Sequence, residues 1–409
     1  MQDTTLYETI LGLQAPWHIA RVELDTEAQR VDLWAEHDET RWPCPECQHL
    51  LACADHAEER TWRHLDTCQF QTHLHARIPR VACPTHGVRQ VRVPWAEPRA
   101  RFTQLMERLV IDVILQASTL SAACRILGIS WDEAAAVMRR AVARGQARKV
   151  ARPIAYLGVD EKAFRKGHVY HTIVCDLERH TVEHVAADRR VESLAAYFAG
   201  LSPAHRAAVQ AVAMDMWDPY IRATREGLPD GASKIVFDRF HIMQAMNTAV
   251  DEVRKQEHRA LRAGGGDSVL TGSKYLWLYA KENVPEKHAA RFTALCARAL
   301  KVGRAWALKE TLRTLWTYRR RWAATRFFQR WYHWARCSRL APVRKVAETF
   351  KRHVDGILGY CQHPITNGVT EGLNSKIMTI KRKACGFRNP LNFETAIYFH
   401  CGGLDLYPR

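Results

Sequence analysis

Apolar and polar positions change their spacing three times along this chain. In the first segment HIARVEL, QRVDLWAEH and THLHARIPRVAC alternate with period two, which predicts short half-buried strands interrupted by cysteines. A proline-bearing link, VRVPWAEPRARF, then leads into helical spacing. Residues 103–118 predict one amphipathic helix, LSAACRIL a second, and the stretch from Trp131 a third. Gly128-Ile129-Ser130 supplies the turn before that third helix, and Ser130 with Glu133 has the capping-box spacing. Three helices with a tight turn before the last predict a helix-turn-helix.

From residue 154 the period returns to two. IAYLGVD, HVYHTIVCDLE and TVEHVAA predict three strands, followed by a helix (ESLAAYFAGL), a strand (AAVQAVAMD), a helix after Pro219 and a strand (KIVFD). Residues 240–360 predict helix almost throughout, with a soft break at Gly264-Gly265-Gly266. A last helix runs from Asn367-Gly368 through Glu371 to about Lys383. Meander, helix, strand, helix, strand and late helix is the order of an RNase H-like sheet. The expected fold class is therefore α/β and multidomain. Its parts are a cysteine-bearing β module (1–98), the helix-turn-helix (99–150), the first part of an RNase H-like mixed-sheet core (151–250), an all-helical insertion (251–360) and the last part of the core (361–409).

Composition narrows the class. Apolar residues are 47% and charged residues 25% of 409, ordinary for a soluble globular protein. No apolar run approaches the ~20 residues of a membrane span, and MQDTTLYETI lacks the basic start and apolar core of a signal peptide. The expected compartment is the cytoplasm, where twelve cysteines read as thiols or metal ligands rather than disulfides. The formal charge of +17 points to a polyanionic partner. It is unevenly spread. Residues 1–60 hold 4 Lys/Arg against 13 Asp/Glu, whereas residues 251–360 hold 24 against 9.

Cys44-Pro-Glu-Cys47 and Cys83-Pro-Thr-His86 are two knuckles with ligand spacing, which predicts one structural zinc on Cys44, Cys47, Cys83 and His86. Cys53 and His56 share that spacing and can replace one pair or build a second site. Cys68 reads as a packed strand residue.

The carboxylates carry the chemistry. Asp160 (LGVDEKAF), Asp215 (AVAMDMWDPY) and Glu371 (NGVTEGLNSKI) occupy the first strand, the end of the fourth and the late helix. Unpaired charges at the ends of apolar runs are costly, but become favourable around two Mg2+ or Mn2+ ions. Such ions activate water and stabilise the leaving oxygen of a phosphodiester. Glu161 should face away from Asp160, Asp218 reads as a helix cap, Asp176 as turn chemistry, and Asp238 as the strongest rival to the three.

These motifs resemble the transposases of the ISL-3 type insertion-sequence family over essentially the whole chain. The likeness is carried by CPEC and CPTHG, the helix-turn-helix, LGVDEKAFRKGHVY, MDMWDPY, FDRFHIMQAMNTAVDEVR and HPITNGVTEGLNSKIMTIKRKACGF. It implies an RNase H-like core with a DDE triad at Asp160, Asp215 and Glu371, a helical insertion between the second and third acids, and a zinc-ribbon-like N-terminus. Membership implies an enzyme that binds the element's terminal inverted repeats, cleaves them and joins them to target DNA. The reading adds a homodimer or higher assembly on DNA, in the bacterial cytoplasm with the nucleoid. Expected phosphate contacts are Arg139, Arg140, Arg144, Arg148 and Lys149 on the third helix, Arg319, Arg320 and Arg321 in the insertion, and Lys376, Lys381, Arg382 and Lys383 after Glu371. Trp306, Trp316, Trp322, Trp331 and Trp334 either stack on exposed bases or form the insertion's core. A DNA-binding regulator on an inactive core, and a nuclease or resolvase that cuts without joining, share most of these features.

Overall fold

Alternation in the first segment builds two four-stranded sheets. The elements are α1 (Asp3–Leu11), β1 (Trp17–Asp25), β2 (Arg30–His37), β3 (Arg41–Pro43), β4 (Leu50–His56), β5 (Arg60–Arg63), β6 (Gln71–Ala76), β7 (Pro79–Cys83) and β8 (Gly87–Gln90). They pair in the orders β1-β2-β6-β5 and β3-β4-β7-β8. The run THLHARIPRVAC, read as one strand, is thus divided between sheets. Trp17, Trp42, Trp62 and Trp95 fill the space beneath, with ring centroids 4.8–5.6 Å apart. Helix α1 is not visible in the apolar pattern because it buries only Tyr7. Cys68 is not packed in a strand: it is exposed in a turn with φ +48°. This computed structural model describes residues 3–165, 169–264 and 269–409.

The helix-turn-helix follows its caps closely. Thr103 starts α2 (Gln104–Gln116), Thr119 starts α3 (Leu120–Leu127), and both halves of the Ser130/Glu133 capping box form at α4 (Trp131–Arg148). Gly128 ends α3 at φ +61°, a left-handed position that suits glycine. On α4 the arginines divide. Arg144 is nearly buried and pairs with Glu97 and with the fully buried Glu107, each at 2.6 Å, while Arg140 also reaches Glu107. Arg148 donates to the Tyr407 carbonyl at 2.6 Å. The expected phosphate role of Arg140, Arg144 and Arg148 is corrected on this ground: their guanidiniums hold helices and the C-terminal tail together. Arg139 remains exposed.

In the second unit β9 (Tyr156–Arg165), β10 (Val169–Asp176) and β11 (Thr181–Ala187) form the antiparallel meander. After α5 (Val191–Gly200) and α6 (Pro203–Ala208), β12 (Ala211–Met214) adds parallel to β9. After α7 (Asp218–Gly227), β13 (Ile235–Phe237) adds parallel to β12. The order β11-β10-β9-β12-β13 is that of an RNase H-like mixed sheet. Ala207 and Ala208, expected to open the strand AAVQAVAMD, instead end a helix that Ser202 caps and Pro203 starts. Asp218 is the first helical residue of α7 and makes no capping bond. Asp176 accepts from the backbone of Glu178 and Arg179, which is turn chemistry as expected.

The helical segment is α8 (Arg239–Ala263), α9 (Lys274–Leu278), α10 (Glu286–Cys296), α11 (Lys301–Arg313), α12 (Arg321–Cys337), α13 (Ala341–Arg352) and α14 (Val354–Gly359). Helix α8 ends at Gly264; Gly265 and Gly266 of the expected break lie outside the described residues, as does part of LGVDEKAFRKGHVY. One hydrophobic cluster runs from Leu157 and Phe237 of the sheet through Trp277, Leu308 and Phe350, so the insertion shares its core with the sheet. The buried Lys309 ammonium donates to the carbonyls of Trp277, Leu278 and Tyr279, satisfying the open end of α9. The late helix α15 (Gly368–Lys383) is followed by α16 (Pro390–Cys401), which the sequence reading lacked. By compactness the chain divides into Met1–Lys149 with Ile380–Arg409, and Val150–Thr379. The segment 361–409, expected wholly in the core, is therefore split. Helix α16 packs on α4, where Gly145 leaves room for Leu404.

Arg144→Ala should destabilise the first unit by about 3 kcal/mol, because buried Glu107 loses one of its partners. Arg139→Ala should stay within about 0.5 kcal/mol of the parent. Denaturant unfolding followed by tryptophan fluorescence checks both.

Candidate active site and metal centre

Register sets the aspartates level. Gly158 of β9 pairs with Ala213 of β12, so Asp160 and Asp215 each stand two residues beyond that pair. Met214 pairs with Phe237, and the Asp238 N–H donates to the Met214 carbonyl at 2.9 Å. Asp238 thus lies next along the same edge. Glu371 arrives from α15, whose first turn docks on β9. A Cβ on Gly158 would lie 2.2 Å from Thr370 Oγ1 and 2.9 Å from Asn367 Oδ1, so only glycine admits the helix. Asn367 Nδ2 donates to the Val159 carbonyl at 3.2 Å. One turn after Glu371, Asn374 Nδ2 donates to Asp160 Oδ2 at 2.6 Å.

Burial and like charge act together here. Burial raises the Asp160 carboxyl, against the Glu161 N–H and the His241 imidazole. Burial pushes Asp215 up to about 6, with His241 opposing and Glu161 and Asp160 adding repulsion. Glu371 is raised by burial first, then by Asp238. Asp215 Oδ1 and Asp238 Oδ2 are buried with no hydrogen-bond partner among the described residues. The Asp215 oxygen, on a residue that still reaches solvent, suits a divalent cation. Asp160, Asp215 and Glu371 are partly exposed, whereas Asp238 is 2% exposed. Glu161 is held by Arg189 at 2.9 Å, and that guanidinium lies over the Tyr170 and Trp217 rings.

The cysteine knuckles meet at the ends of β3 and β7. Ligand atoms of Cys44, Cys47, Cys83 and His86 all lie within 4.8 Å of one another. Cys47 and Cys83 sulfurs are 3.7 Å apart, and His86 Nδ1 is 3.5 Å from Cys83 Sγ and 3.9 Å from Cys44 Sγ. Tetrahedral zinc with bonds of about 2.3 Å to sulfur and 2.0 Å to nitrogen needs edges of roughly 3.8 and 3.5 Å. The residues fit. Cys53 instead donates to the Asp55 carbonyl, and His56 meets His37 at 2.9 Å, so neither joins the cluster.

The basic residues are scattered in role. Arg319 and Arg320 are exposed, while Arg321 pairs with Asp355 at 2.7 Å. Lys376 and Arg382 are exposed and Lys381 is half-buried. Lys383 Nζ donates to the Ala117 carbonyl at the end of α2, which corrects its assignment to the cleaved strand. Trp316 and Trp331 are core, and Trp306 donates to the Tyr279 carbonyl. Only Trp322 (59% exposed) and Trp334 (41%) of the five are open to solvent. Both lie on the outer face of α12, beside the exposed Arg326 and Arg330.

Asn367, Thr370, Asn374, His241 and Gly158 were absent from the sequence reading of the site. The lone glycine inside the YLGVD strand was the available signal, since it marks close backbone approach. The asparagines carried none, because their partners lie some two hundred residues away.

Three segments match known families. Residues 157–397 match the transposases of the DDE ISL3 family, residues 40–86 the zinc-finger of transposase IS204/IS1001/IS1096/IS1165, and residues 91–142 the helix-turn-helix domain of transposase family ISL3. The chain is similar to the transposase for insertion sequence element IS1001 of Bordetella parapertussis, 28% identical over 396 residues, covering 95% of this chain and 96% of that one. It is also similar to the transposase for insertion sequence element IS1557 of Mycobacterium tuberculosis, 26% identical over 420 residues, covering 95% and 94%. No described helix is long and apolar enough to cross a membrane. The transposase match alone spans well over half of the chain, and the protein therefore belongs to the ISL3 family of DNA-binding transposases.

Proposed function

We propose that this transposase cleaves and joins DNA with Asp160, Asp215 and Glu371 as ligands of two Mg2+ or Mn2+ ions. The observation that carries the reading is three partly exposed carboxylates gathered at one sheet edge, all raised first by burial, with neighbouring carboxylates adding repulsion. When bound, the ions supply charge neutralisation to a phosphodiester and a nucleophilic oxygen to attack it. The protein's part is positioning. Asn374 orients Asp160, and the Gly158–Thr370 contact fixes the height of Glu371. Asp238 is too enclosed to be a ligand and shapes the field behind Glu371. Substrates are the element's terminal repeats and target DNA, held in part by Arg139 and the exposed cations Arg319, Arg320, Lys376 and Arg382. Cys44, Cys47, Cys83 and His86 hold a structural zinc that closes the knuckles without an open position.

Asp160→Asn, Asp215→Asn and Glu371→Gln should each lower cleavage of a labelled terminal-repeat duplex on the order of 10³-fold, with binding retained. Asp238→Asn should cost about tenfold or less. Products joined to a second duplex distinguish a transposase from a nuclease; nicks alone would favour the latter.

Asp215 adds a pH signature. Its folded value of about 6 lies above the ordinary 3.8, so the stability it contributes is present at low pH and lost as pH rises through 6. In buffer free of Mg2+ and Mn2+, Asp215→Asn should therefore be more stable than the parent at pH 7.5, by up to about 3 kcal/mol. The gap should close below pH 4, and added Mg2+ should raise the melting temperature of the parent alone. Equal stability at pH 7.5 would remove Asp215 from the site.

Elemental analysis should find about one zinc per chain. Cys47→Ser or Cys83→Ser should lose it and unfold the β module, seen as lost tryptophan shielding, while the RNase H-like unit stays folded.

A further inference from the structure

The β module is acidic by count, yet two of its cations and two from the link that follows meet on one wall. Arg60 and Arg63 of β5, His73 of β6, and Arg99 and Arg101 of the link to α2 line an open cleft of ≈ 500 Å³. Thr61 and Glu133 complete the lining, and Glu133 lies in the first turn of α4. The cleft therefore opens at the end of the helix that a helix-turn-helix presents to a major groove.

Its walls are held in place. The Arg63 N–H donates to the Arg101 carbonyl at 2.9 Å and the Thr103 N–H to the Arg63 carbonyl at 3.0 Å, strapping the link to the edge of β5. Arg60 donates to the Ala100 carbonyl and lies 4.9 Å over the Trp62 ring. Arg63 is largely buried and paired with Asp66. Arg99 and Arg101 differ: both are exposed, with no side-chain partner among the described residues. Arg99 also sits at φ +62°, a conformation that costs a residue with a Cβ about 1 kcal/mol or more. The Arg101 guanidinium, after burial, pushes Arg60 below its ordinary value, as expected for like charges facing one another. Glu133 offers little relief, because its carboxylate is engaged by the Ser130 N–H and hydroxyl at 2.8 Å.

We propose that this cleft is a second phosphate-backbone site, in which Arg99 and Arg101, with Arg60 behind them, grip the DNA strand flanking the groove entered by α4. Guanidinium forks suit phosphate oxygens, and the nearby N-terminus of α4 adds a favourable dipole. The grip supplies affinity and register without reading bases. The proposal rests on the DNA-binding reading above and assigns to the β module a role that its net charge conceals.

The test uses the full-length, zinc-loaded protein, titrated with a terminal-repeat duplex and a scrambled duplex at several salt concentrations. The double variant Arg99→Asn/Arg101→Ala removes both exposed cations, and asparagine tolerates the left-handed backbone. It should weaken binding to both duplexes on the order of tenfold at low salt, and flatten the salt dependence by a slope of roughly 1.8, two contacts at 0.9 each. Preference for the repeat should persist. Arg101→Lys should keep most of the affinity and slope, since lysine still meets phosphate as a point charge. Unchanged zinc content and melting temperature would show that the variants are folded. Parental affinity and slope in the double variant would overturn the cleft while leaving DNA binding intact. Failure of the parent to bind either duplex would overturn both readings.

Discussion

Charge repulsion among crowded, half-buried carboxylates is the constraint on which the catalytic unit depends. Asp160, Asp215 and Asp238 stand level along one sheet edge, and Glu371 is lowered onto them by a helix. His241, Lys162 and Asn374 are the nearby compensation for this charge. Such a cluster persists only because the shared core of sheet and insertion over-determines it. The divalent cations proposed above would turn the same repulsion into binding energy. The docking of α15 on Gly158 is the geometric half of that arrangement, since a methyl group there would lift Glu371 away from the aspartates.

The first unit solves a different problem. Its small sheets bury four tryptophans but expose much of their edges, so the module is marginal without closure at the cysteine knuckles. The helix-turn-helix is tied to it through Arg144 and Glu97, and internally through Glu107. Those ion pairs explain why α4 presents so few cations to solvent. A helix that spends its arginines on packing leaves a narrow outer stripe, in which Arg139 and Gln146 are the long polar side chains. Base reading by so few groups requires phosphate contacts elsewhere to fix the register.

The excess positive charge of the insertion has a comparable division. Lys309 is buried under three carbonyls and Arg313 is paired with Glu282 and Glu310. Exposed cations remain on several helices, and on α12 Arg326 and Arg330 lie beside the exposed Trp322 and Trp334. Density of arginine in the sequence is therefore an upper bound on the surface available to nucleic acid.

By itself the sequence determined most of the order of elements, the turn and capping box before α4, and where the three candidate acids fall, because each is written in local spacing. Ser130 and Glu133, Gly128, and the apolar runs that lead into Asp160 and Asp215 needed no distant partner to be recognised. The knuckle pairs were equally local, although the choice of Cys83 and His86 over Cys53 and His56 was not. Tertiary structure alone decided which cations are free and which are structural. Arg144 and Lys383 were expected to face DNA, yet their partners Glu97 and Ala117 are distant in the chain, where sequence spacing carries no information about distance. It also decided that Arg60, at the end of the acidic first sixty residues, and Arg99 and Arg101 of the link converge on one cleft. Charge sums along a chain, but potential sums in space, and only the fold converts one into the other.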